Sequence, residues 1–323
     1  MPPAWAFSTI WWRNDHHEIP PQLQDEVDNS QELLLRDARM LQANRIPAST
    51  MWIDRPFTTG AWGWGDRQFD ETFPDPDGMV RELKHQYGMN LLYWITNRWA
   101  GEMKQEGLER GYLFDAYTEH PAADLRREPV RGWITKYLND LMEDAMLEPG
   151  TSGVKGYKID RGGEGEMPDS LINKQVTLFN RLAHEQMKAE HGNDFLIFAR
   201  NLHDKSRRYV AHWNGDTRDS FEALRTSIKN ALRSGLMNFP MWGSDTGSYD
   251  ENPSKELYLR WVGFSAYSTM MESVMEGRDQ WFYGKNRDRE VIQAVREASQ
   301  AHHDLLPYSR SGLHRATETG VPV

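Results

Sequence analysis

The feature that most constrains the fold is a regular alternation along the chain of short apolar blocks and segments of helical periodicity. Each block has the length of a buried strand, and strands that are apolar throughout belong in a parallel sheet covered on both faces. The predicted strands are residues 4–13, 50–54, 90–96, 154–160, 195–200, 209–213, 237–242 and 266–271. The predicted helices are residues 26–44, 73–87, 129–145, 170–190, 220–233, 256–264 and 289–305, and residues 97–128 are expected to be only partly ordered.

Strands and helices in this alternation can form a closed barrel or an open sheet. An open doubly wound sheet usually carries a Gly-rich phosphate loop after its first strand, and this chain has none. The 323 residues suit one barrel, because such barrels commonly have about 250 residues and up to about 400 with insertions. Without a repeat, low-complexity tract or linker, the sequence predicts an α/β fold, a single (β/α)8 TIM barrel over residues 1–323.

Composition excludes several classes of function. The net charge of −10 argues against nucleic acid or an anionic membrane as the partner. The absence of cysteine removes disulfides, thiolate nucleophiles and Cys-based metal sites. No apolar run approaches the ~20 residues that span a bilayer, and residues 1–5 do not resemble the start of a signal peptide. We therefore expect a cytoplasmic chain.

Metal and serine chemistry find no support in the sequence. The adjacent pairs His16-His17 and His302-His303 would point in different directions on a strand or helix. No H-x-x-x-H or H-E-x-x-H spacing occurs, and there is no G-x-S-x-G nucleophile elbow. We expect no metal and no other cofactor.

The 13 tryptophans suggest a class of ligand. Tryptophan is a costly core filler because its ring is large and its N–H needs a partner. Many stand at predicted strand ends: Trp11, Trp12, Trp52, Trp62, Trp64, Trp94, Trp99, Trp213 and Trp242. Aromatic platforms there suit the apolar faces of sugar rings, although any single ring can equally fill the barrel.

Acidic residues mark the same strand ends, where barrel enzymes carry their chemistry. These ends supply Asp54, Asp160, Arg200, Asp216 and Asp245. Each aspartate alone could be a helix N-cap, but together they suit glycosidic bond cleavage, in which one carboxylate attacks the anomeric carbon and another donates a proton. A pair about 5 Å apart retains configuration and a pair about 6.5–9.5 Å apart inverts it; the residues themselves leave this open.

Two segments resemble the catalytic segments of glycoside hydrolase family 31. Residues 156–160 (G-Y-K-I-D), followed by two glutamates, are similar to the family's nucleophile strand. The run from Arg200 to residues 213–216 (W-N-G-D) is similar to its W-x-G-D acid/base segment. The resemblance implies that Asp160 forms a covalent glycosyl intermediate, that Asp216 is the proton donor, and that Arg200 holds sugar hydroxyls.

Two more segments extend the resemblance. Residues 242–247 (W-G-S-D-T-G) resemble the family's G-x-D-x-G-G loop with Ser248 at the second glycine, and residues 52–54 (W-I-D) resemble a hydroxyl-binding strand. Residues 302–322 resemble the final barrel helix. The expected substrate-binding residues are Asp54, Arg200, Trp213, Asp245, Trp94, Trp242 and Glu272.

The sequence departs from the family pattern after the last predicted strand. The family usually has Arg-x-His there, whereas residues 271–274 read M-E-S-V. Glu272 either accepts sugar hydroxyls or is a structural partner of Arg278 or Arg260. The chain also begins at the barrel and ends where the family's C-terminal β-domains would follow, so we expect an excised, truncated or engineered barrel without the flanking β-sandwich domains.

The resemblance implies a retaining, exo-acting α-glycoside hydrolase that acts on a terminal α-linked sugar of an α-glycoside or oligosaccharide. For this mechanism we expect burial and a neighbouring carboxylate to keep Asp216 protonated. An α-glucan lyase, which shares the nucleophile step, and a sugar-binding barrel with little turnover are the alternatives. The sugar in the −1 subsite and the oligomeric state are left open.

Overall fold

The computed structural model describes residues 1–13, 19–55, 57–60, 64–250 and 252–323. The His16-His17 pair and Trp62 lie outside the described residues. The strands are β1 (Ile10–Arg13), β2 (Thr50–Ile53), β3 (Asn90–Ile95), β4 (Met146–Glu148), β5 (Thr151–Ser152), β6 (Val154–Ile159), β7 (Leu196–Ala199), β8 (Ala211–Trp213), β9 (Trp242–Gly243), β10 (Asp245–Thr246) and β11 (Glu272–Val274).

The main sheet is parallel and closes on itself. Its order is β10-β11-β1-β2-β3-β6-β7-β8-β9, while β4 and β5 form a separate antiparallel pair. Only Ser244 separates β9 from β10, so the two ends of this order are successive pieces of one chain segment. When β9 and β10 are counted as one strand, the barrel has the eight strands that the sequence predicts.

Large side chains fill the barrel where neighbouring strands are in register. Trp12 pairs with Trp52 across β1 and β2, and their rings stack with centroids 4.3 Å apart. Lys158 of β6 pairs with Trp94 on one side and with Phe198 on the other. Residues opposite each other on neighbouring strands point to the same face, so this layer places a charged lysine among aromatic rings.

Helices cover the outside of the sheet. They are α1 (Ser30–Ala43), α2 (Pro76–Tyr87), α3 (Gly101–Glu109), α4 (Glu128–Glu143), α5 (Ile172–His191), α6 (Phe221–Leu236), α7 (Lys255–Ser265), α8 (Asp279–Phe282), α9 (Arg289–Asp304) and α10 (Leu306–Thr319). The ends of α2 show why the sequence forms a helix there: Asp75 caps its start, Pro76 lies in the first turn, and Gly88 ends it at φ 68°. Between β7 and β8 the chain forms only a 3-10 helix, Asp204–Arg208.

Several predicted boundaries are wrong. Residues Ala4–Phe7 form a 3-10 helix, so the first strand begins only at Ile10. The partly ordered segment 97–128 contains α3. The last helix is two helices, because Pro307 lies in the first turn of α10, where it cannot donate to a preceding turn.

The last strand is also misplaced by the prediction. Residues 266–271 connect α7 to the barrel, and the strand itself is β11, Glu272–Val274. Met270 and Met271 are buried although they precede the strand, whereas Glu272 and Ser273 are polar and fully buried within it. Hydrophobicity therefore indicated the connection rather than the strand.

Helix α6 has a stripe of apolar side chains at helical spacing, Phe221, Leu224, Ile228 and Leu232, and most of this stripe is not buried. Leu224 is buried, but Phe221 is 50% exposed, Leu232 67% and Leu236 78%. The stripe thus lies on the solvent side of the described residues. Of the helices in the described ranges, none is long and apolar enough to cross a membrane.

Candidate active site

The predicted acidic residues and the arginine follow strands of the closed barrel at their carboxyl ends. Asp54 follows β2, Asp160 follows β6 and Arg200 follows β7. Asp216 lies shortly after β8, and Asp245 opens β10. Because the strands are parallel, these ends meet at one rim, which is the catalytic face of this architecture.

Asp160 is a buried carboxylate with several donors. Its Oδ2 accepts a hydrogen bond from Trp94 Nε1 at 3.2 Å, and its Oδ1 accepts one from the Arg161 backbone N–H at 2.7 Å. Arg200 Nη2 lies 2.6 Å from the same Oδ1. Burial raises the pKa of Asp160, but Lys158 and Arg200 together with the Trp94 hydrogen bond outweigh it, so the pKa lies below its ordinary value.

The residue after Asp160 adopts a backbone conformation that few side chains favour. Arg161 has φ 50°, in the left-handed region. Such a conformation costs on the order of 1 kcal/mol for a residue with a Cβ. In this conformation Arg161 donates its backbone N–H to the Asp160 carboxylate.

Arg200 connects the two predicted catalytic carboxylates. Its Nη2 reaches Asp160, while Nη1 lies 2.9 Å from Asp216 Oδ2 and Nη2 lies 3.2 Å from Glu164 Oε1. Gly215 makes this approach possible, because its φ is 79° and a Cβ there would lie 2.8 Å from Arg200 Cδ. The planar guanidinium therefore spans Asp160 and Asp216 in one fork.

The sequence analysis expects Asp216 to be buried, but the structure places it in a partly exposed position. Its side chain is 33% exposed and is held by the ion pair with Arg200. The expectation failed because the residue lies beyond the strand, at the mouth of the barrel. The expected burial of the proton donor is therefore wrong.

Lys158 is the functional-site residue that the sequence analysis missed. It is 1% exposed, and its Nζ lies 4.3 Å from the Trp52 ring centroid and 3.8 Å from that of Trp213. Burial lowers the pKa of Lys158, but the carboxylates led by Asp54 and Asp160 raise it above its ordinary value. The K-I-D sequence at the end of β6 could have indicated that Lys158 belongs to the site. Lys158 lies two residues before Asp160 and so faces the same side of the strand.

Three further carboxyl groups surround Lys158 and are themselves buried. Burial raises the pKa of Asp54 to about 7, with Lys158 opposing and Asp160 adding to the shift. Burial likewise raises the pKa of Asp245, which Lys158 again opposes. Glu272 is fully buried, and burial and the neighbouring Asp245 raise its pKa well above the ordinary value.

The tryptophans predicted as sugar platforms are buried. Trp213 is 0% exposed, Trp94 2% and Trp242 4%. Trp94 and Trp213 donate their indole N–H groups to Asp160 and Asp245. Their observed contacts are therefore those of rings that fill the barrel and orient carboxylates.

The contacts of Glu272 bear on its suggested role as a structural partner of an arginine. Its Oε1 accepts from Trp52 Nε1 at 2.9 Å. Arg260 instead pairs with Glu256, and Arg278 donates to the backbone oxygens of Ser248 and Glu276. Among the described residues, the hydrogen bonds and ion pairs of Glu272 thus do not include Arg278 or Arg260, the structural partners that the sequence suggested.

Two further expectations concern metals and the loop after β10. No group of three or more His, Cys, Asp or Glu residues suited to a metal ion occurs among the described residues. Ser248, at the position of the family's second glycine, has φ 100°, a backbone conformation that normally requires glycine. The loop therefore has a glycine-type turn in which Ser248 occupies the glycine position.

The fold and site define a class of protein before any comparison. The chain is a (β/α)8 barrel with an arginine-linked pair of carboxylates at its catalytic rim. The profile described as the glycosyl hydrolases family 31 TIM-barrel domain matches residues 1–311, so the chain belongs to glycosyl hydrolase family 31.

Curated relatives and solved structures agree with this assignment. An alpha-xylosidase of Emericella nidulans is 26% identical over 306 residues, covering 86% of this chain and 37% of that protein. An alpha-glucosidase of Aspergillus oryzae is 30% identical over 305 residues, covering 87% of this chain and 29% of that protein. A structure of the cycloalternan-degrading enzyme from Trueperella pyogenes has a TM-score of 0.79 at 20% identity, covering 100% of this chain and 51% of that chain. This chain therefore spans about a third of the length of these two curated relatives.

Proposed function

We propose that this chain is the single catalytic domain of a retaining, exo-acting α-glycoside hydrolase, with Asp160 as nucleophile and Asp216 as acid/base. The observation that carries the proposal is the Arg200 guanidinium, which lies 2.6 Å from one carboxylate and 2.9 Å from the other. A nucleophile and a proton donor must face the same glycosidic bond. One arginine side chain contacts both of these carboxylates.

Asp160 has the properties of the attacking group. It is ionised because its donors and the cations Arg200 and Lys158 lower its pKa despite burial. Attack of its oxygen on the anomeric carbon forms a glycosyl ester and breaks the bond to the leaving oxygen. Trp94 Nε1 and the Arg161 N–H fix the orientation of the carboxylate for this attack.

Asp216 can donate a proton only after its ion pair with Arg200 loosens. Arg200 Nη1 lies 2.9 Å from Asp216 Oδ2. A sugar seated between the two groups would draw Arg200 toward its hydroxyls and Asp160, and would exclude water from Asp216. Both changes would leave the Asp216 carboxyl free to protonate the leaving oxygen.

Asp54 and Asp245 are proposed to bind sugar hydroxyls, and relatives indicate the class of substrate. The solved structures include a Flavobacterium johnsoniae dextranase complexed with glucose and the Trueperella enzyme in complex with a covalent intermediate. The curated relatives include an alpha-xylosidase and an alpha-glucosidase. We therefore propose a terminal α-linked sugar of an α-glycoside or oligosaccharide as substrate.

The test is hydrolysis of aryl α-glycosides in the gluco, xylo, galacto, N-acetylgalactosaminyl and sulfoquinovosyl series, with Asp160→Asn and Asp216→Asn run alongside. We expect Asp160→Asn to abolish turnover of every substrate. Asp216→Asn should cost ~10²–10⁴-fold with poor leaving groups and far less with activated aryl groups, which need no proton. Equal losses with both leaving groups would contradict the acid/base role, and a first product of inverted configuration would contradict retention.

A further inference from the structure

Two buried carboxyl groups lie side by side on the strands that close the barrel. Asp245 of β10 and Glu272 of β11 are opposite each other in the register of the parallel pair. Neighbouring strands run about 4.8 Å apart, and residues so paired point to the same face. Both residues are 0% exposed.

Each carboxyl group has one satisfied and one unsatisfied oxygen. Trp213 Nε1 donates to Asp245 Oδ1 at 2.8 Å, and Trp52 Nε1 donates to Glu272 Oε1 at 2.9 Å. Asp245 Oδ2 and Glu272 Oε2 are buried without a hydrogen-bond partner in the part of the chain that the structure describes. A buried polar atom without a partner is costly, and an unpaired buried charge is more so.

We propose that Asp245 and Glu272 form a carboxyl–carboxylate pair that holds a proton between Asp245 Oδ2 and Glu272 Oε2. The proton supplies the donor that both oxygens lack. It also leaves the pair with one negative charge in place of two. The inference does not depend on the proposed reaction, since it concerns only the resting barrel.

The cations near the pair do not supply the missing donor. Lys158 Nζ lies over the rings of Trp52 and Trp213, at 4.3 and 3.8 Å from their centroids, and it attracts both carboxyl groups. Arg278 also attracts Asp245, but its Nη atoms donate to backbone oxygens. Neither cation has a hydrogen bond to the pair among the described residues.

The anions near the pair favour the bound proton. Asp54 repels the charge on Glu272, and Asp216 repels the charge on Asp245. Two buried carboxyl groups that repel each other's charge lose their protons in two separate steps that belong to the pair. With one proton retained, the pair carries a single negative charge beside the positive charge of Lys158.

The pair acts on the site through the tryptophans. Each carboxyl group holds one indole N–H, and the two indoles form the faces against which Lys158 packs. Asp245 and Glu272 are therefore positioning residues in the resting barrel: they fix the rings that fix the cation beneath the catalytic rim.

Infrared spectroscopy of the full chain at pH 8.5 tests the proposal, because a protonated buried carboxyl gives a C=O band that an ionised one lacks. At this pH exposed carboxyls are ionised, and so is most of Asp54, whose pKa burial raises to about 7. We expect one residual band in the wild type, lost in Glu272→Gln and lost or shifted in Asp245→Asn. Asp124→Asn is the control, since hydrogen bonding to Arg126 lowers the pKa of Asp124 and its removal should leave the band unchanged.

Absence of the wild-type band, or its persistence in Glu272→Gln, would overturn the proposal. The wild type decides the first point even where a variant fails to fold. A second measurement uses denaturant unfolding between pH 7.5 and 9. A retained proton should make the wild-type folding equilibrium constant fall about tenfold per pH unit, and Glu272→Gln should flatten that slope; equal slopes would count against a shared proton.

Discussion

Replacing Asp54 by asparagine should stabilise the protein at alkaline pH while removing a residue of the proposed site. Burial raises the pKa of Asp54 from 3.8 to about 7 in the folded chain. The unfolded chain therefore ionises this carboxyl more readily than the folded chain does. Stability is unaffected below the unfolded pKa, falls as pH rises from about 4 to 7, and stays reduced above.

The size of the effect follows from the shift. One pKa unit corresponds to about 1.4 kcal/mol, so a shift of about three units costs about 4 kcal/mol above pH 7. An asparagine at position 54 has no charge to bury, and its amide oxygen can still accept the Arg55 N–H. Lys158 loses one counter-ion, which reduces the gain, so we expect Asp54→Asn to add about 2–4 kcal/mol at pH 8.5 and about 1 kcal/mol at pH 4.5.

Urea or thermal unfolding at these two pH values measures the gain. For a chain of this length 4 kcal/mol corresponds to about 6 °C in Tm. Asp124→Asn is a control of opposite sign, because the Arg126 hydrogen bond lowers the pKa of Asp124 and its ionised form stabilises the fold. If Asp54→Asn proved neutral or destabilising at pH 8.5 while Asp124→Asn was destabilising, the argument that burial of Asp54 is poorly compensated would be refuted.

Three further predictions concern other described residues. Arg200→Lys should lower kcat/KM by at least about a hundredfold, since one ammonium cannot span Asp160 and Asp216 as the guanidinium does; a loss below tenfold would contradict the bridging role. Gly215→Ala should lower kcat/KM and cost about 1–2 kcal/mol of stability, because its φ of 79° disfavours a Cβ that would also contact Arg200; unchanged kinetics would show that this approach is unimportant. Burial lowers the pKa of His302 from 6.5 to about 4, so its contribution of about 3 kcal/mol is present above pH 6.5 and lost as pH falls to 4; His302→Gln should flatten the unfolding free energy over that window, and an unchanged pH profile would show otherwise.

The barrel was predictable because its strands are short and mostly apolar, and helix ends such as Asp75 and Gly88 have clear capping chemistry. The catalytic candidates were predictable for a related reason, since parallel strands bring their carboxyl ends to one rim. Asp160, Arg200 and Asp216 follow three of these strands and meet through ion pairs.

The burial or exposure of several side chains could not be predicted, because it depends on tertiary contacts that the hydrophobicity of the sequence does not encode. Glu272 and Lys158 are polar residues inside strands, where a charge is normally read as a solvent-facing position, yet both are buried against tryptophan rings. The helix predicted over residues 220–233 is confirmed by α6, but the exposure of Leu232 depends on what packs against the helix. Asp216 likewise has an exposure set by the mouth of the barrel rather than by its sequence neighbours.

The central claim is that Asp160 forms a covalent bond to the sugar. A slow-reacting fluorinated glycosyl fluoride of the sugar that the substrate panel identifies should accumulate as an ester on the enzyme, and peptide mass spectrometry should locate it. We expect one sugar per chain, on the peptide that contains Asp160, and no label in Asp160→Asn. A label on another carboxylate, or full turnover of the α-glycoside by Asp160→Asn, would contradict it.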